Sequence, residues 1–303
     1  MMLISLRDLS DLVVPHYLLI SVIGPISAYM IILNTLPSYT IIPVIVSLSF
    51  GVLGFNTINM VFDEKIDKIT KPLRPIITKK ISKEKAILFS ALFYFAGLLT
   101  AVATNYTLFF LMVIFFVVSL TYSSPWPYYK KYFWASSFCG AIIYGILPIA
   151  MTYSVTGGNF PIHFMTFFAL LFLVISNSKD FEDMQGEKKF GINSVPIILG
   201  SNSAYWVIVL AEFFLLLLMG YLSITTIIAF KYIYATGISL MLFFPMAWLL
   251  WKDVKRIQYK DRAFDKTHDN GIRDIITQSD GVTFSVLFVV FVQLIYGLIA
   301  TAL

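Results

Sequence analysis

The sequence contains little charge, one cysteine and three histidines among its 303 residues. The lone Cys139 excludes a disulfide framework and a cysteine-rich metal site. Charged residues make up 13% of the chain and apolar ones 58%, which excludes disordered, collagen-like and coiled-coil proteins and is typical of a protein that crosses a membrane several times. The formal net charge of +5 is spread over short loops, so nucleic acid is not an expected partner.

Nine apolar stretches approach the length of about 20 residues that a helix needs to cross a bilayer. The stretches are continuous and lack the alternation of barrel strands, which favours helices. We therefore predict an all-α, polytopic membrane protein with about nine transmembrane helices in a bundle. The predicted spans, of which the fourth and sixth are short, are Tyr17–Asn34, Ile41–Phe62, Ala86–Thr104, Leu108–Tyr122, Trp134–Tyr153, Ile162–Ser176, Ala204–Leu222, Ile227–Trp251 and Val282–Ala302.

Charge divides the connections between these spans into two classes. The loops at 35–40, 105–107, 154–161 and 223–226 contain no Lys, Arg, Asp or Glu, whereas 21 of the 22 basic residues lie in the N-terminal tail or the four other loops. The positive-inside rule then places the N-terminus and the charged loops in the cytoplasm. We expect a multi-pass protein of the cytoplasmic membrane with its active site at the cytoplasmic face.

Glu212 is the one acidic residue of the 17 that falls within a predicted span. A charged residue inside a membrane is a functional candidate by default. A lone glutamate without an obvious partner could equally be protonated or face a polar pocket, so its role stays open.

The first acidic motif lies where the second predicted span ends. Asn59, Asp63 and Asp67 are spaced by four, so their side chains share one helical face. Two stacked carboxylates repel each other unless a cation joins them, and Mg²⁺ typically binds one or two carboxylates together with substrate phosphates. The cations that follow at once, where they could meet phosphate oxygens, are Lys68, Lys71 and Arg74.

The second acidic motif closes the sixth predicted span. Asp180, Asp183 and Glu187 are spaced three and four apart, and lysines flank them. Each motif taken alone is also compatible with an ordinary solvated helix end. Two such motifs on one side of the membrane form a cage for two Mg²⁺ ions and a diphosphate, whose bond to carbon could then ionise. A lipid-embedded bundle would suit a long isoprenoid tail.

Both motifs end an even-numbered span, about 117 residues apart. This arrangement suggests two related halves, at about 10–150 and 151–303, within a single domain that covers residues 1–303. The internal sequence similarity is too weak to prove a duplication.

The two motifs together resemble those of the UbiA superfamily of intramembrane prenyltransferases. The first is similar to N-D-x-x-D-x-x-x-D followed by R-P-x-R-P, and here reads Asn59, Asp63 and Asp67 with Lys71-Pro72-Leu73-Arg74-Pro75. The second is similar to D-x-x-D-x-x-x-D/G followed by G-x-x-T/S-x-P, and its matching residues are Asp180, Asp183, Glu187, Gly191, Ser194 and Pro196.

The resemblance implies a Mg²⁺-dependent enzyme that ionises an allylic polyprenyl diphosphate, lets an acceptor attack the carbocation and releases diphosphate. It implies catalytic roles for Asp63, Asp67, Asp180 and Asp183. The same residues with Asn59 and Glu187 would hold the metal. The residues that would contact diphosphate are Asn59, Lys68, Lys71, Arg74, Tyr122, Lys130, Lys179 and Lys188.

One departure concerns a Tyr and a Lys, four residues apart, that the family tends to carry after its fourth span. Lys130 is present here, but no tyrosine lies four residues before it. Tyr122 could serve if the prolines at 125 and 127 reshape the loop.

Several alternatives remain open at this stage. An ion-coupled transporter also has helical repeats and acidic residues, but such carriers place charges near the bilayer midplane rather than at span ends. The acceptor could be an aromatic quinone precursor or geranylgeranylglyceryl phosphate, and the run at 67–76 is similar to the ether-lipid branch of the family. The prenyl chain length, the rings that stabilise the cation, the role of the charged loop at 252–281 and the oligomeric state cannot be deduced.

Overall fold

The structure is a computed structural model that describes residues 12–264 and 280–302. These residues form a bundle of α-helices. The helices are α1 (Pro15–Leu33), α2 (Ile42–Phe62), α3 (Glu64–Thr70), α4 (Lys83–Thr104), α5 (Tyr106–Ser123), α6 (Phe133–Gly140), α7 (Leu147–Thr156), α8 (Ile162–Ile175), α9 (Asp180–Lys189), α10 (Val195–Leu199), α11 (Ser201–Ile224), α12 (Tyr232–Phe264) and α13 (Asp280–Ala302).

Eight helical segments in the described ranges are long and apolar enough to cross a membrane, and a bent pair of helices forms a ninth, broken candidate. The fifth span joins α6 and α7 through a π-helical segment at Ala141–Ile146. The broken span combines α8 and α9, whose axes differ by 52°. These elements confirm an all-α, multi-pass membrane architecture. The nature of the break also explains why the sixth predicted span is short.

Side chains at the end of α8 account for this break. The Asn177 side-chain amide donates to the carbonyl oxygens of Leu173 and Val174 at 2.9 and 3.1 Å. The Ser178 hydroxyl donates to the carbonyl oxygen of Ile175 at 2.7 Å. Such bonds compete with backbone bonds that would continue the helix, so the chain bends before the second acidic motif.

The order of packing arranges the spans around the site. Helix α2 packs mainly on α4, α12 packs between α11 and α13, and α13 packs on α1. The loops without charge lie at the end of the bundle away from the acidic motifs. There, the ammonium of Lys231 donates to the carbonyl oxygen of Ala300 at 2.6 Å. Lys231, the one basic residue outside the N-terminal tail and the charged loops, therefore stabilises the C-terminal end of α13.

The sequence also suggested a single domain built from two related halves. The second acidic motif lies on the short helix α9, and the first ends on the short helix α3 that directly follows α2. This similarity concerns only the two motifs and not the complete halves. The duplication therefore stays a prediction.

Candidate active site

A cavity lies among α1, α2, the fifth span, α8 and α13, next to both acidic motifs. The cavity has a volume of about 110 Å³, well above the roughly 10–15 Å³ that one water requires. Its charged residues are Asp63, Lys71, Arg74, Lys130, Lys179, Glu182 and Asp183. Apolar residues such as Ile20, Ile143, Phe172 and Val286 line the part that extends between the spans. The cavity therefore joins a charged mouth to an apolar interior.

The first acidic motif extends across the junction between α2 and α3. Helical backbone hydrogen bonds continue across it. The backbone N–H of Asp63 donates to the carbonyl oxygen of Asn59, and the N–H of Asp67 donates to the carbonyl oxygen of Asp63, both at 2.8 Å. Both aspartate side chains are buried. Lys130 contacts Asp63 Oδ2 at 2.7 Å, and Arg74 contacts Asp67 Oδ2 at 2.6 Å. The four-residue spacing therefore does align the motif on one face, as expected.

Asn59 is placed at the cavity wall by α2. Its side-chain oxygen accepts a hydrogen bond of 2.6 Å from the Ser123 hydroxyl, at the end of α5. This bond fixes the amide so that its oxygen faces α5. The predicted roles of Asn59 in metal and diphosphate binding stay predictions.

The second acidic motif lies on α9, and its three acids are buried. Lys71, from the first motif's loop, contacts both carboxylate oxygens of Asp183, at 2.7 and 2.8 Å. Lys130 lies 3.8 Å from Glu187 Oε1 in addition to its contact with Asp63. Asp180 makes no ion pair within the described residues. Lys71 and Lys130 thus link the two motifs.

Close packing of α3 on α9 brings the motifs together. Gly186 faces Ile66 so closely that a Cβ atom would lie 2.8 Å from Ile66 Cγ2 and 3.2 Å from its carbonyl oxygen. A glycine is required for this approach. It places the two acidic helices side by side, an arrangement that the sequence predicted only in outline.

The loop that carries Lys130 is held by the chain that follows α9. The backbone N–H of Phe133 donates to the carbonyl oxygen of Asn193 at 3.1 Å, and the backbone N–H of Asn193 donates to the carbonyl oxygen of Lys131 at 3.0 Å. Gly191 has a φ of 66°, the left-handed conformation that commonly ends a helix. Pro196 lies in the first turn of α10. These motif residues therefore shape the backbone that positions Lys130.

Tyr122 meets Lys179 rather than Lys130. The Lys179 ammonium donates to the Tyr122 hydroxyl at 2.5 Å and lies 4.6 Å from its ring centroid. Both residues line the cavity. Tyr122 can therefore occupy the site although its offset departs from the family pattern, and its part in diphosphate binding stays a prediction.

Two of the predicted diphosphate ligands lie elsewhere. Lys68 pairs with Glu64 at 2.9 Å and its side chain is 58% exposed. Lys188 is exposed on α9. Neither lines the cavity, because each directly follows a buried acid, and neighbouring helical residues point about 100° apart. The structure does not support the expectation that these two contact diphosphate there.

Burial and charge change the ionisation of the site. Burial raises the pKa of Asp67 to about 6, with Asp63 and Asp183 acting in the same direction, although Arg74 and Lys71 oppose it. Burial would lower the pKa of Lys130, but the charges of Asp63 and Glu187 raise it well above its usual value. The buried carboxylates of this region therefore favour the binding of cations.

The oxygen-rich donor set fits Mg²⁺. Asp63 Oδ1 is buried and has no hydrogen-bond partner among the described residues, so one ligand oxygen is available. Across residues 12–264 and 280–302, no three His, Cys, Asp or Glu side chains are close enough to form a complete metal site. Lysine and arginine occupy the intervening positions, and phosphate or water oxygens would have to complete any coordination.

Sequence reasoning missed several cavity residues. Asn56 is three residues before Asn59 on the same face of α2, and this spacing could have identified it. His16 and Tyr17, at the start of α1, gave no local signal because only the tertiary fold brings α1 to the site. All three line the cavity.

Comparison with known sequences points to one family. The profile of the UbiA prenyltransferase family matches residues 19–265. A digeranylgeranylglyceryl phosphate synthase from Methanococcus maripaludis strain C5 is 36% identical over 173 residues, which cover 55% of this chain and 59% of that protein. One from Thermococcus gammatolerans is 27% identical over 212 residues, or 67% and 73% of the two chains. The chain thus spans about three fifths of the length of the Methanococcus relative.

Solved structures show the same fold. A UbiA homologue from Archaeoglobus fulgidus, bound to DMAPP and Mg²⁺, has a TM-score of 0.62 with 17% identity and covers 98% of this chain and 97% of its own. The apo structure of a UbiA homologue from Aeropyrum pernix K1 has a TM-score of 0.60 with 14% identity and covers 98% of both chains. Together with the profile match over most of the chain, these findings show that the protein belongs to the UbiA prenyltransferase family.

Proposed function

We propose that this protein transfers a prenyl group from an allylic prenyl diphosphate to a lipid-soluble acceptor. The observation that carries the proposal is the cavity, in which buried acids and lysines at the mouth meet an apolar interior between membrane spans. A diphosphate suits the mouth and an isoprenoid tail suits the interior. The family membership and the names of the relatives support this assignment.

Two Mg²⁺ ions would be held by the two acidic motifs, one by each, and would neutralise the charge of the diphosphate. The residues concerned are Asn59, Asp63 and Asp67, and Asp180, Asp183 and Glu187. Of these, Asn59, Asp63 and Asp183 line the cavity, and so do the cations Lys71, Arg74, Lys130 and Lys179. When the carboxylates bind cations from solution, these side chains become available to phosphate oxygens.

The proposed reaction breaks the bond between the allylic carbon and the diphosphate oxygen. The electron pair stays on that oxygen, and Lys71, Arg74, Lys130 and Lys179 would stabilise its charge. A hydroxyl oxygen of the acceptor then donates an electron pair to the allylic carbon, and its proton leaves with the diphosphate. The buried, apolar cavity would keep water from capturing the cation first.

The acceptor that we propose is geranylgeranylglyceryl phosphate, with geranylgeranyl diphosphate as donor. The relatives from Methanococcus and Thermococcus bear the name digeranylgeranylglyceryl phosphate synthase. A glyceryl phosphate would add an anionic group, and the cavity has four cations at its mouth. An aromatic quinone precursor is the alternative acceptor.

We place the protein in the cytoplasmic membrane, with the N-terminus and the cavity mouth on the cytoplasmic side. The charge asymmetry of the loops supports this orientation. The transporter alternative is weaker, because the acids described at the site lie at span ends next to cations, and the family of this chain is one of prenyltransferases.

The test is diphosphate release by the purified protein in lipid, with geranylgeranyl diphosphate and either geranylgeranylglyceryl phosphate, 4-hydroxybenzoate or dihydroxynaphthoate. We expect release that requires Mg²⁺ and geranylgeranylglyceryl phosphate and that Asp63→Ala abolishes. Glu64→Gln is the matched control, since Glu64 pairs with the exposed Lys68. Release with an aromatic acceptor would reassign the acceptor, and no release with any acceptor from folded protein would overturn the proposal.

A further inference from the structure

Among the described residues, five tyrosines and phenylalanines line the cavity: Tyr17, Phe55, Tyr122, Tyr144 and Phe172. Aromatic faces attract cations, most strongly where water is excluded. If the proposed function holds, an allylic cation forms in this cavity. The geometry of the five rings distinguishes those that could stabilise it.

Tyr122 and Phe55 are poorly suited to receive another cation. The Lys179 ammonium already lies 4.6 Å from the Tyr122 ring centroid. Phe55 meets Tyr122 edge to face, with centroids 5.6 Å apart. An ammonium at one of these rings repels a second positive charge nearby. The Tyr122 ring is therefore already occupied by an ammonium, and Phe55 packs against that ring.

The other three rings form a row across three elements. Tyr17 of α1 stacks on Tyr144 of the π-helical segment, with centroids 5.7 Å apart and an interplanar angle of 18°. Tyr144 in turn lies 5.8 Å from Phe172 of α8. Tyr144 is the central ring, and its neighbours restrict its movement. All three residues line the cavity, so the row forms an aromatic part of its wall that is in place before reaction.

Local packing explains the position of Tyr144. Gly145 approaches α8 so closely that a Cβ atom would lie 2.5 Å from Ala169 Cα. Phe172 is three residues after Ala169, on the same face of α8. The close contact at Gly145 therefore sets Tyr144 against Phe172. The surrounding π turn, in which Leu147 donates to the carbonyl of Ile142, is a feature that often marks functional sites.

We propose that Tyr144, held between Tyr17 and Phe172, is the aromatic residue that stabilises the allylic cation once the carbon–oxygen bond has broken. The inference rests on the proposed function and makes Tyr144 a catalytic residue of that reaction. The ring, rather than the hydroxyl, supplies the stabilisation. Tyr144→Phe should therefore retain full activity, and Tyr144→Leu should lose most of it.

The direct test measures binding of a cation mimic, without catalysis. The probe is a prenyl trimethylammonium ion with inorganic diphosphate and Mg²⁺, compared with its neutral tert-butyl isostere. We expect Tyr144→Leu to weaken binding of the ammonium about 30-fold, the equivalent of about 2 kcal/mol for a desolvated contact. Binding of the isostere should change less than threefold, and Tyr144→Phe should bind both as the wild type does.

Kinetics provide the second measurement. Tyr144→Leu should lower kcat about 30-fold and leave KM for the prenyl diphosphate within threefold, because the ring acts on the cation and not on the ground state. Phe168→Leu is the matched control, since Phe168 is buried on α8 but does not line the cavity. It should change neither parameter by more than threefold.

The two proposals fail differently. A wild-type protein that transfers prenyl groups, together with a Tyr144→Leu variant that binds the ammonium equally well, would overturn the role of Tyr144 alone. A folded wild-type protein that releases no diphosphate with any acceptor would overturn the proposed function. Equal losses of binding affinity for the ammonium and its isostere in Tyr144→Leu would show that the residue acts in packing, and would also overturn its catalytic role.

Discussion

The two acidic motifs differ in how their charges are neutralised. In the first, Asp67 pairs with Arg74 of the following loop, and Asp63 pairs with Lys130. In the second, Asp183 depends on Lys71 from the first motif's loop. Asp180 makes no ion pair within the described residues. Each aspartate of the first motif thus has its own close cation, whereas the second motif shares Lys130 with the first and depends on Lys71 from the first motif's loop.

This difference teaches that the motifs form one electrostatic unit. Lys71 crosses from the first motif to the second, and Lys130 lies 2.7 Å from Asp63 and 3.8 Å from Glu187. A metal ion bound at either motif would therefore lie close to a shared lysine. Changes to the shared cations should therefore affect both motifs, and changes to unshared ones should not.

The largest effect should come from Asp63→Asn, which keeps the shape of the side chain but removes a proposed metal ligand and the partner of Lys130. Loss of second-shell partners of metals costs 10–100-fold, so we expect prenyl transfer to fall by at least about a hundredfold. Initial rates at saturating Mg²⁺ test this. A fall of less than tenfold would show that the first motif does not hold the metal.

Lys130→Met should destabilise the protein most, because it leaves Asp63 and Glu187 buried without their shared cation. Breaking a buried ion pair costs about 3–5 kcal/mol. Thermal unfolding in detergent without Mg²⁺ should show this loss, and added Mg²⁺ should stabilise the variant more than the wild type, since it replaces the lost charge.

The exposed neighbour Lys131 supplies the control for that experiment. Lys131→Met should leave both the unfolding temperature and its response to Mg²⁺ unchanged. If Mg²⁺ stabilised Lys130→Met no more than the wild type, the lysine and the metal would not compete for one position.

Lys71→Met should have a smaller effect, because its side chain is partly exposed, at 23%. Hydrogen bonds to charged groups contribute about 1.5–3 kcal/mol, so we expect KM for the prenyl diphosphate to rise about tenfold or somewhat more. Steady-state kinetics at fixed Mg²⁺ measure the change. An unchanged KM would mean that Lys71 stays on Asp183 when substrate binds.

Gly186→Ala probes the contact that brings the motifs together. A Cβ atom would meet Ile66 at 2.8 Å, and overpacking of this kind costs about 1–3 kcal/mol. The unfolding temperature should fall. Gly237→Ala is the matched control, because a Cβ at this helical glycine meets nothing within 4 Å. Equal stability of the two variants would contradict close packing between α3 and α9.

Much of the fold could be predicted from the sequence, because each span is specified locally by a long apolar run. The break after α8 was harder, since it depends on Asn177 and Ser178, which bond to backbone carbonyls rather than interrupt the hydrophobic pattern. The fifth span was predicted as one helix. Its π turn depends on close packing against Ala169, which a single sequence does not display.

The candidate site was predictable where helical spacing determines it. The four-residue spacing placed Asp63 and Asp67 on one face, but spacing could not show that Lys130 would pair with Asp63 across 67 residues of chain. The same limit applies to Tyr144, because its ring row requires α1 and α8 to meet the fifth span. Contacts within one helix are local, whereas contacts between helices depend on the whole fold.

The smallest effects should come from Lys68→Met and Lys188→Met. Both lysines follow a motif acid in sequence, but they are exposed and outside the cavity, and Lys68 pairs with Glu64 on the same helix. Exposed pairs of this kind contribute about 0.3–0.5 kcal/mol, so KM for the prenyl diphosphate should change less than twofold in either variant. Steady-state kinetics measure this KM in both variants, and Lys71→Met, measured under the same conditions, should show the larger change. A tenfold rise of this KM in Lys68→Met would mean that α3 turns when substrate binds. Proximity in sequence to the acids, rather than the ion pairs that link the two motifs, would then decide which lysines contact the diphosphate.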